Sequence, residues 1–528
     1  MLVSIVALAA LLRFAALDMT PPGIWPDEAI NGVEGWRAAE TGDFKIFYST
    51  NNGREGLWIN LVGLSVKTFG ANQFGLRFPA ALAGTLTVLG IYFLVRELFY
   101  DTQTRIDPRE QDMSNPKPQA LNPKQSQNPK NPNSKSLQNL HFKNWGAFQI
   151  SDFVSRISHA EHIALWSAFL LAVSYWHLNF SRIGFRAIMV PLLLVWSFYF
   201  LLRSMRKNTE EGATKQHRWS EGNAARIFED SRGSRQTEIG GLKRSPPWSE
   251  KMRAASRLAN ATLGGLLFGL GFHTYIAFRV APLLLLVLLV ILYLQSRRPS
   301  SPPPAQEESK MGTSSYKSRR IVGTPTSPGQ KSGASGLQAT SCFIVAAFLI
   351  VFPMGWYLAT HRQDINKRDG AKIGVFEQAR PLAALAASIG KTALMFNIRG
   401  DCNQRHNLPC WPQLNPIVGI CFLVGIWTAV REIFRAVIPA KLILDRDRGA
   451  GIQDSVSRVP VSRHGTGKPG MTKGAVPLFL LAWFFVFLLP EVLTSEGIPH
   501  ALRAIGVLPP VMIFSALGHQ GVLQQQEL

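Results

Sequence analysis

The sequence predicts an all-α polytopic membrane protein: a bundle of about ten transmembrane helices with outer-face loops carrying short interfacial helices. Three observations predict it. Only 17% of the 528 residues are charged and 46% are hydrophobic, against about 25% charged in soluble globular domains. The apolar residues gather into runs of ~17–23, the length that crosses a ~30 Å hydrocarbon layer. Between the runs lie polar, basic stretches rich in Pro, Asn and Ser. Runs this uniform exclude barrel strands, which alternate apolar and polar residues. Helices are then the way left to pair every backbone group in lipid.

The runs fall at 2–17, 78–99, 162–178, 187–203, 259–277, 280–294, 341–359, 414–436, 475–493 and 500–517. The first is short, lacks the basic start of a cleaved signal and contains Arg13. An Arg inside a span costs ~2.5–3.5 kcal/mol unless it snorkels or finds a polar partner. Phe278-Arg279 splits the fifth run from the sixth. The chain therefore divides as follows. Residues 1–99 hold the first helices and an outer loop; 162–203 and 259–294 are helix pairs. Residues 341–436 are helices flanking an outer loop at 360–413, and 475–528 form the last pair. Between them lie loops 100–161, 204–258, 295–340 and 437–474.

A net charge of +22 invites a nucleic-acid reading, until its location is examined. The four loops just named hold 34 Lys and Arg against 18 acids. The opposite set, 18–77, 179–186, 360–413 and 494–499, holds 15 against 12. The positive-inside rule makes the first set cytoplasmic. The charge is then a topology signal, and no nucleic-acid partner is needed. Residues 115–137 repeat an Asn-Pro-Lys unit, and 299–337 are dominated by Ser, Pro, Gly and Lys, compositions that bury too little apolar surface to fold. The outer loops differ. Loop 18–77 carries Trp25, Trp36, Phe44, Phe47, Tyr48 and Trp58, and Leu57 to Phe69 suits a helix along the membrane surface. Loop 360–413 has its own apolar stretch, 381–396.

Chemistry-bearing residues concentrate in those outer loops. Asp27 and Glu28 follow the first helix by about ten residues, among Trp and Pro. A carboxylate at a partly desolvated boundary is a candidate general base. Asp27 equally reads as the N-cap of a helix beginning at Glu28. Arg54-Glu55 precedes the surface helix, where Glu55 also suits a first turn. Arg182, Arg186, Arg279 and Arg503, with His500, stand at outer turns, where several guanidinium groups would grip a phosphate. Each of them alone suits a structural ion pair as well. Cys402 and Cys410 share one polar loop and form a local disulfide if it faces an oxidising compartment. Cys342 and Cys421 lie in apolar runs. The sequence has no P-loop, no GxGxxG after a strand, no HExxH and no CxxC, so ATP-driven transport and dinucleotide chemistry lack support.

The order Pro26-Asp27-Glu28-Ala29, Arg54-Glu55-Gly56-Leu57-Trp58, Phe69-Gly70 and Leu76-Arg77-Phe78-Pro79-Ala80-Ala81-Leu82 resembles a known family. So do Phe180-Ser181-Arg182, Tyr275 with Arg279 and Pro282, and Pro499-His500-Ala501-Leu502-Arg503 with Pro509. Residues 395–409, with Gly400-Asp401 and Arg405-His406-Asn407, match the outer loop of prokaryotic members. The family is the GT-C fold membrane glycosyltransferases, including the dolichyl-phosphate-mannose protein mannosyltransferases and the aminoarabinose transferases of lipid A. The resemblance implies an inverting sugar transfer at the outer membrane face, from a polyprenyl-phosphate donor to an acceptor hydroxyl on a protein, lipid or polysaccharide. It implies a multi-pass protein of a prokaryotic cytoplasmic membrane. Asp27 would be the general base and Glu28 its support. Arg54, Glu55, Arg182, Arg186, Tyr275, Arg279, His500 and Arg503 would bind donor or acceptor. No cofactor is required, though Glu55 matches a carboxylate that holds a divalent metal in some members.

One departure stands out. Many members carry a second acid shortly after the Ser-Arg, whereas here Arg182-Ile183-Gly184-Phe185-Arg186-Ala187 has none. Glu55 or Asp401 would have to supply it. The rival reading is a polytopic transporter or lipid flippase, which would place polar residues on broken helices near mid-membrane. The apolar runs here are nearly free of Asp and Glu, and the acids collect in the outer loops.

Overall fold

A computed structural model describes residues 1–51, 53–99, 159–206, 247–296, 332–363, 374–437 and 474–526. The four loops read as cytoplasmic lie mainly outside the described residues. The rest is helical. Helix α1 spans Leu2–Phe14 and α2 Pro26–Thr41. A two-residue hairpin follows, β1 Phe47–Tyr48 pairing antiparallel with β2 Arg54–Glu55. Next come α3 Gly56–Phe69, α4 Gln73–Leu98, α5 His159–Val173, α6 Tyr175–Arg182 and α7 Met189–Met205. Then follow α8 Pro247–Gly271, α9 Ala281–Ser296, α10 Ser332–Thr360 and α11 Pro381–Leu394. Helices α12 Pro416–Val437, α13 Ala475–Val492 and α14 Leu508–Gln526 close the chain.

Each of the ten apolar runs lies largely within a helix. Among the described residues, seven helices are long and apolar enough to cross a membrane, and α5 with α6 makes an eighth if the bent pair is one span. The other two fall short for visible reasons. Helix α1 has only 13 residues. Helix α8 opens on the polar, charged stretch Ser249–Arg253. Helices α10 and α12 leave Phe348, Phe352, Trp356, Ile417 and Trp427 exposed. Apolar faces of this size belong against lipid rather than water, so the protein is a multi-pass membrane protein.

The core is aromatic. Phe198 of α7 meets Phe479 and Trp483 of α13 at ring separations of 5.5 and 5.3 Å, and Trp58, Trp176 and Phe514 are fully buried. Helix α4 packs on α1, α3, α5 and α7. Helices α2 and α3 cross through glycine. A Cβ on Gly63 would stand 2.1 Å from the Gly35 carbonyl oxygen, so no larger residue permits this approach.

The bend between α5 and α6 measures 55°. A break frees helix carbonyls that lipid cannot satisfy. Arg13 takes that role. It is fully buried and donates to Ala172 O at 3.1 Å, Leu171 O at 3.3 Å and His177 Nδ1 at 2.8 Å. The costly Arg of the first helix thus finds polar partners rather than snorkelling. Arg182 returns the tie, donating to Leu12 O at 2.7 Å, Ala15 O at 2.8 Å and Thr20 O at 2.9 Å.

The described connections meet one another. Trp58 Nε1 donates to Gly184 O (3.2 Å), Asn179 Nδ2 to Arg405 O (2.8 Å) and Trp176 Nε1 to Ala501 O (3.2 Å). Gly374 and Thr494 form an antiparallel bridge. These contacts bring the loops read as outer together at one end of the bundle.

Candidate active site

The two adjacent carboxylates have opposite fates. Helix α2 begins at Pro26, whose missing N–H costs nothing at a first helical position. Trp25 is the N-cap, which corrects the expectation that Asp27 caps a helix starting at Glu28. Glu28 reaches back to the Trp25 N–H at 3.3 Å, half of a capping box. Its side chain is fully buried against that of Arg77, with Arg77 Nε on Glu28 Oε1 at 2.8 Å. The same oxygen accepts from Gly184 N at 3.3 Å. Arg77 also donates to Pro21 O at 2.9 Å. Glu28 therefore braces the loop and lines neither cavity described below.

Asp27 faces the other way. Its side chain is half exposed, with Oδ2 accepting from Arg405 Nη1 at 2.9 Å and Oδ1 from Asn51 Nδ2 at 3.3 Å. It lines a cavity of about 230 Å³ together with Asn31, Asn51, Arg54, Phe185, Arg186 and Tyr275. Arg54 is buried at the cavity wall. It pairs with Glu34 and Asn31, and burial pushes its pKa down while the Glu34 charge opposes that shift.

Glu55 is fully buried between two cations, Arg279 Nη2 at 3.3 Å and Arg186 Nη1 at 3.8 Å. The Arg186 guanidinium also lies over the Tyr275 ring, 5.6 Å from its centroid. Two guanidinium groups on one carboxylate leave a positive balance, which suits an anion at the cavity edge better than a metal on Glu55. Arg182 does not join this group, because its donors are spent on the end of α1 and the turn after it.

A second cavity of about 370 Å³ lies on the other side of Arg405, lined by Asp401, Asn403, Arg405, Glu496, His500 and Arg503 among others. Arg405 lines it while pairing with Asp27 and lying over the Phe185 ring. Arg503 donates to Thr494 Oγ1 at 3.0 Å and to Glu496 O. Asp401 Oδ2 accepts from His406 Nδ1 and from Ala501 N, both at 2.8 Å. The His406 and His500 rings are 4.5 Å apart. Burial, with His406 and Arg503 nearby, pushes the His500 pKa down to about 3, so its imidazole is neutral. Cys402 and Cys410 are disulfide-bonded, closing the loop around His406.

Of the sequence candidates, Asp27, Arg54, Arg186 and Tyr275 meet at one cavity, with Arg186 and Arg279 both paired to Glu55. His500 and Arg503 sit at the other. Glu28 and Arg182 are internal braces. Sequence reasoning missed Asn31, Glu34 and Asn51, which carried no signal beyond being polar. It missed the bridging place of Arg405, which stood out only as part of a motif.

The fold and the paired cavities define a polytopic helical membrane protein with an acid–arginine site where its connections converge. No family model matches the chain, and no curated protein sequence matches it. Solved structures similar to it include ArnT from Cupriavidus metallidurans bound to undecaprenyl phosphate, at 11% identity and a TM-score of 0.45, covering 98% of this chain and 60% of that one. ArnT from the same organism in the apo state gives 10%, 0.45, 99% and 61%. The Archaeoglobus fulgidus oligosaccharyltransferase tethered with an acceptor peptide gives 13%, 0.40, 99% and 50%. The chain thus spans between half and three fifths of the length of these proteins.

Proposed function

We propose that this chain is a GT-C type membrane glycosyltransferase, moving a sugar from a polyprenyl-phosphate donor to an acceptor hydroxyl at the outer membrane face. The observation that carries this reading is a half-exposed carboxylate, Asp27, sharing one cavity with Arg186, which leans with Arg279 on buried Glu55. The sequence motifs at those positions support it.

The chemistry follows from these groups. An acceptor hydroxyl that displaces Asn51 or Arg405 from Asp27 gives its proton to the carboxylate. Its oxygen forms a bond to the anomeric carbon. The carbon–oxygen bond to phosphate breaks on the opposite face, so configuration inverts. The electron pair leaves on the lipid phosphate, whose growing charge Arg186 and Arg279 neutralise. Glu55 holds both guanidinium groups in place, which saves reorganisation during the reaction. Tyr275 fixes Arg186 from beneath. No nucleotide departs, so no glycine-rich phosphate loop is needed. The site then faces outside and the basic loops face the cytoplasm, as the charge distribution favours.

Mass spectrometry of glycolipids, glycans and glycoproteins tests the reading. A strain lacking the chain loses one glycosylated species, and expression of the chain restores it. An unchanged profile in the lacking strain contradicts the proposal.

A further inference from the structure

We infer that Asp401, His406 and His500 form a binding site for a divalent first-row metal of the zinc class. Donor atoms of the three side chains lie within 4.8 Å of one another. His406 is fully buried, yet its Nε2 has no hydrogen-bond partner, and neither has Nδ1 of His500. Buried imidazole nitrogens left unpaired are costly and rare. His406 Nδ1 stands 2.8 Å from Asp401 Oδ2, so a metal ion taking the place of the shared proton finds two of its ligand atoms already side by side.

The surroundings are built rather than incidental. Asp401 is fixed by Ala501 N, and His500 N donates to Glu491 Oε1 at 2.7 Å. The Cys402–Cys410 bridge closes the loop carrying His406. Asp401 supplies negative charge beside His500, against the cations Arg503 and Arg405, the latter paired with Asp27. Two imidazoles and one carboxylate select a borderline cation such as zinc, since calcium and magnesium prefer all-oxygen shells. Tetrahedral zinc ligands stand about 3.3 Å apart, so the donors close on the ion by imidazole rotation. Both Asp401 and His500 line the 370 Å³ cavity, which leaves an open position for water or a ligand. The inference does not rest on the glycosyl-transfer reading: the transfer steps proposed above use none of the three residues, although the resemblance counts His500 among donor or acceptor contacts and leaves Asp401 open as a second acid.

The test uses the full chain in detergent, non-reduced and purified without a histidine tag. Zinc is titrated in, excess is removed by dialysis, and bound metal is read by mass spectrometry. Wild type should retain about one zinc per chain. Cobalt in its place should give visible d–d absorption without the charge-transfer band of a thiolate ligand. His406→Gln keeps a donor toward Asp401 but loses the ligand nitrogen, and His500→Gln loses the other. Each should weaken retention at least ~10-fold while eluting as wild type does. Absence of metal from wild type, a thiolate band, or folded variants that retain zinc equally would overturn the site. If the variants do not fold, the wild-type cobalt spectrum decides alone.

Discussion

At the residue scale, neighbouring side chains with the same charge acquire different work. Asp27 and Glu28 are adjacent in sequence, but a helical turn points them about 100° apart. Glu28 faces α4 and the 182–188 turn, where Arg77 and Gly184 N consume it. Asp27 faces the cavity. The family resemblance made Asp27 the base and Glu28 its support; the residues alone do not say which of the two is buried, because that depends on Arg77 arriving from 49 residues away. The same holds for Arg405, which reaches Asp27 across 378 residues. No local periodicity encodes such a contact. Removing one partner of a buried pair leaves an uncompensated charge and costs about 3–5 kcal/mol. Glu28→Gln should therefore lower the thermal unfolding temperature markedly in detergent. A variant as stable as wild type would show that Glu28 is not the brace described.

At the element scale, the ten apolar runs all fall on helices, one of them divided between α5 and α6, and a helix, α3, stands where Leu57–Phe69 was expected to form one. The bend after Val173 had no Pro or Gly to announce it. It is sustained by Arg13 and Arg182 exchanging hydrogen bonds between α1 and the broken pair. Arg182 was expected to hold a phosphate. It instead offers a planar fork to several carbonyls at once, a role an ammonium cannot fill. Arg182→Lys should therefore fail to substitute. Limited proteolysis should cut the 15–24 turn faster in Arg182→Lys and Arg182→Ala alike. Protection equal to wild type in the Lys variant would mean that the clamp contributes little. Gly35 and Gly63 set the other junction, and neither glycine could be assigned a partner without knowing that α2 and α3 cross there.

At the scale of the whole molecule, the +22 charge sorts by side rather than by site. The loops read as cytoplasmic carry 34 basic residues, and the cations proposed to act on the phosphate are Arg186 and Arg279. Deleting residues 110–140 should consequently leave sugar transfer near the wild-type rate in protein that inserts normally. Loss of transfer in inserted protein would show that the loop takes part in the reaction. Asp27 is proposed as the base of a transfer reaction in a site that binds a polyprenyl-phosphate sugar. Single-turnover transfer by purified Asp27→Asn, set beside its binding of the same donor, separates the two roles. Donor binding should stay within about twofold of wild type, since Arg186 and Arg279 are the groups proposed to meet the phosphate. Transfer should fall by at least ~100-fold, the contribution of a positioned general base. Turnover equal to wild type would contradict the assignment of Asp27 as the base.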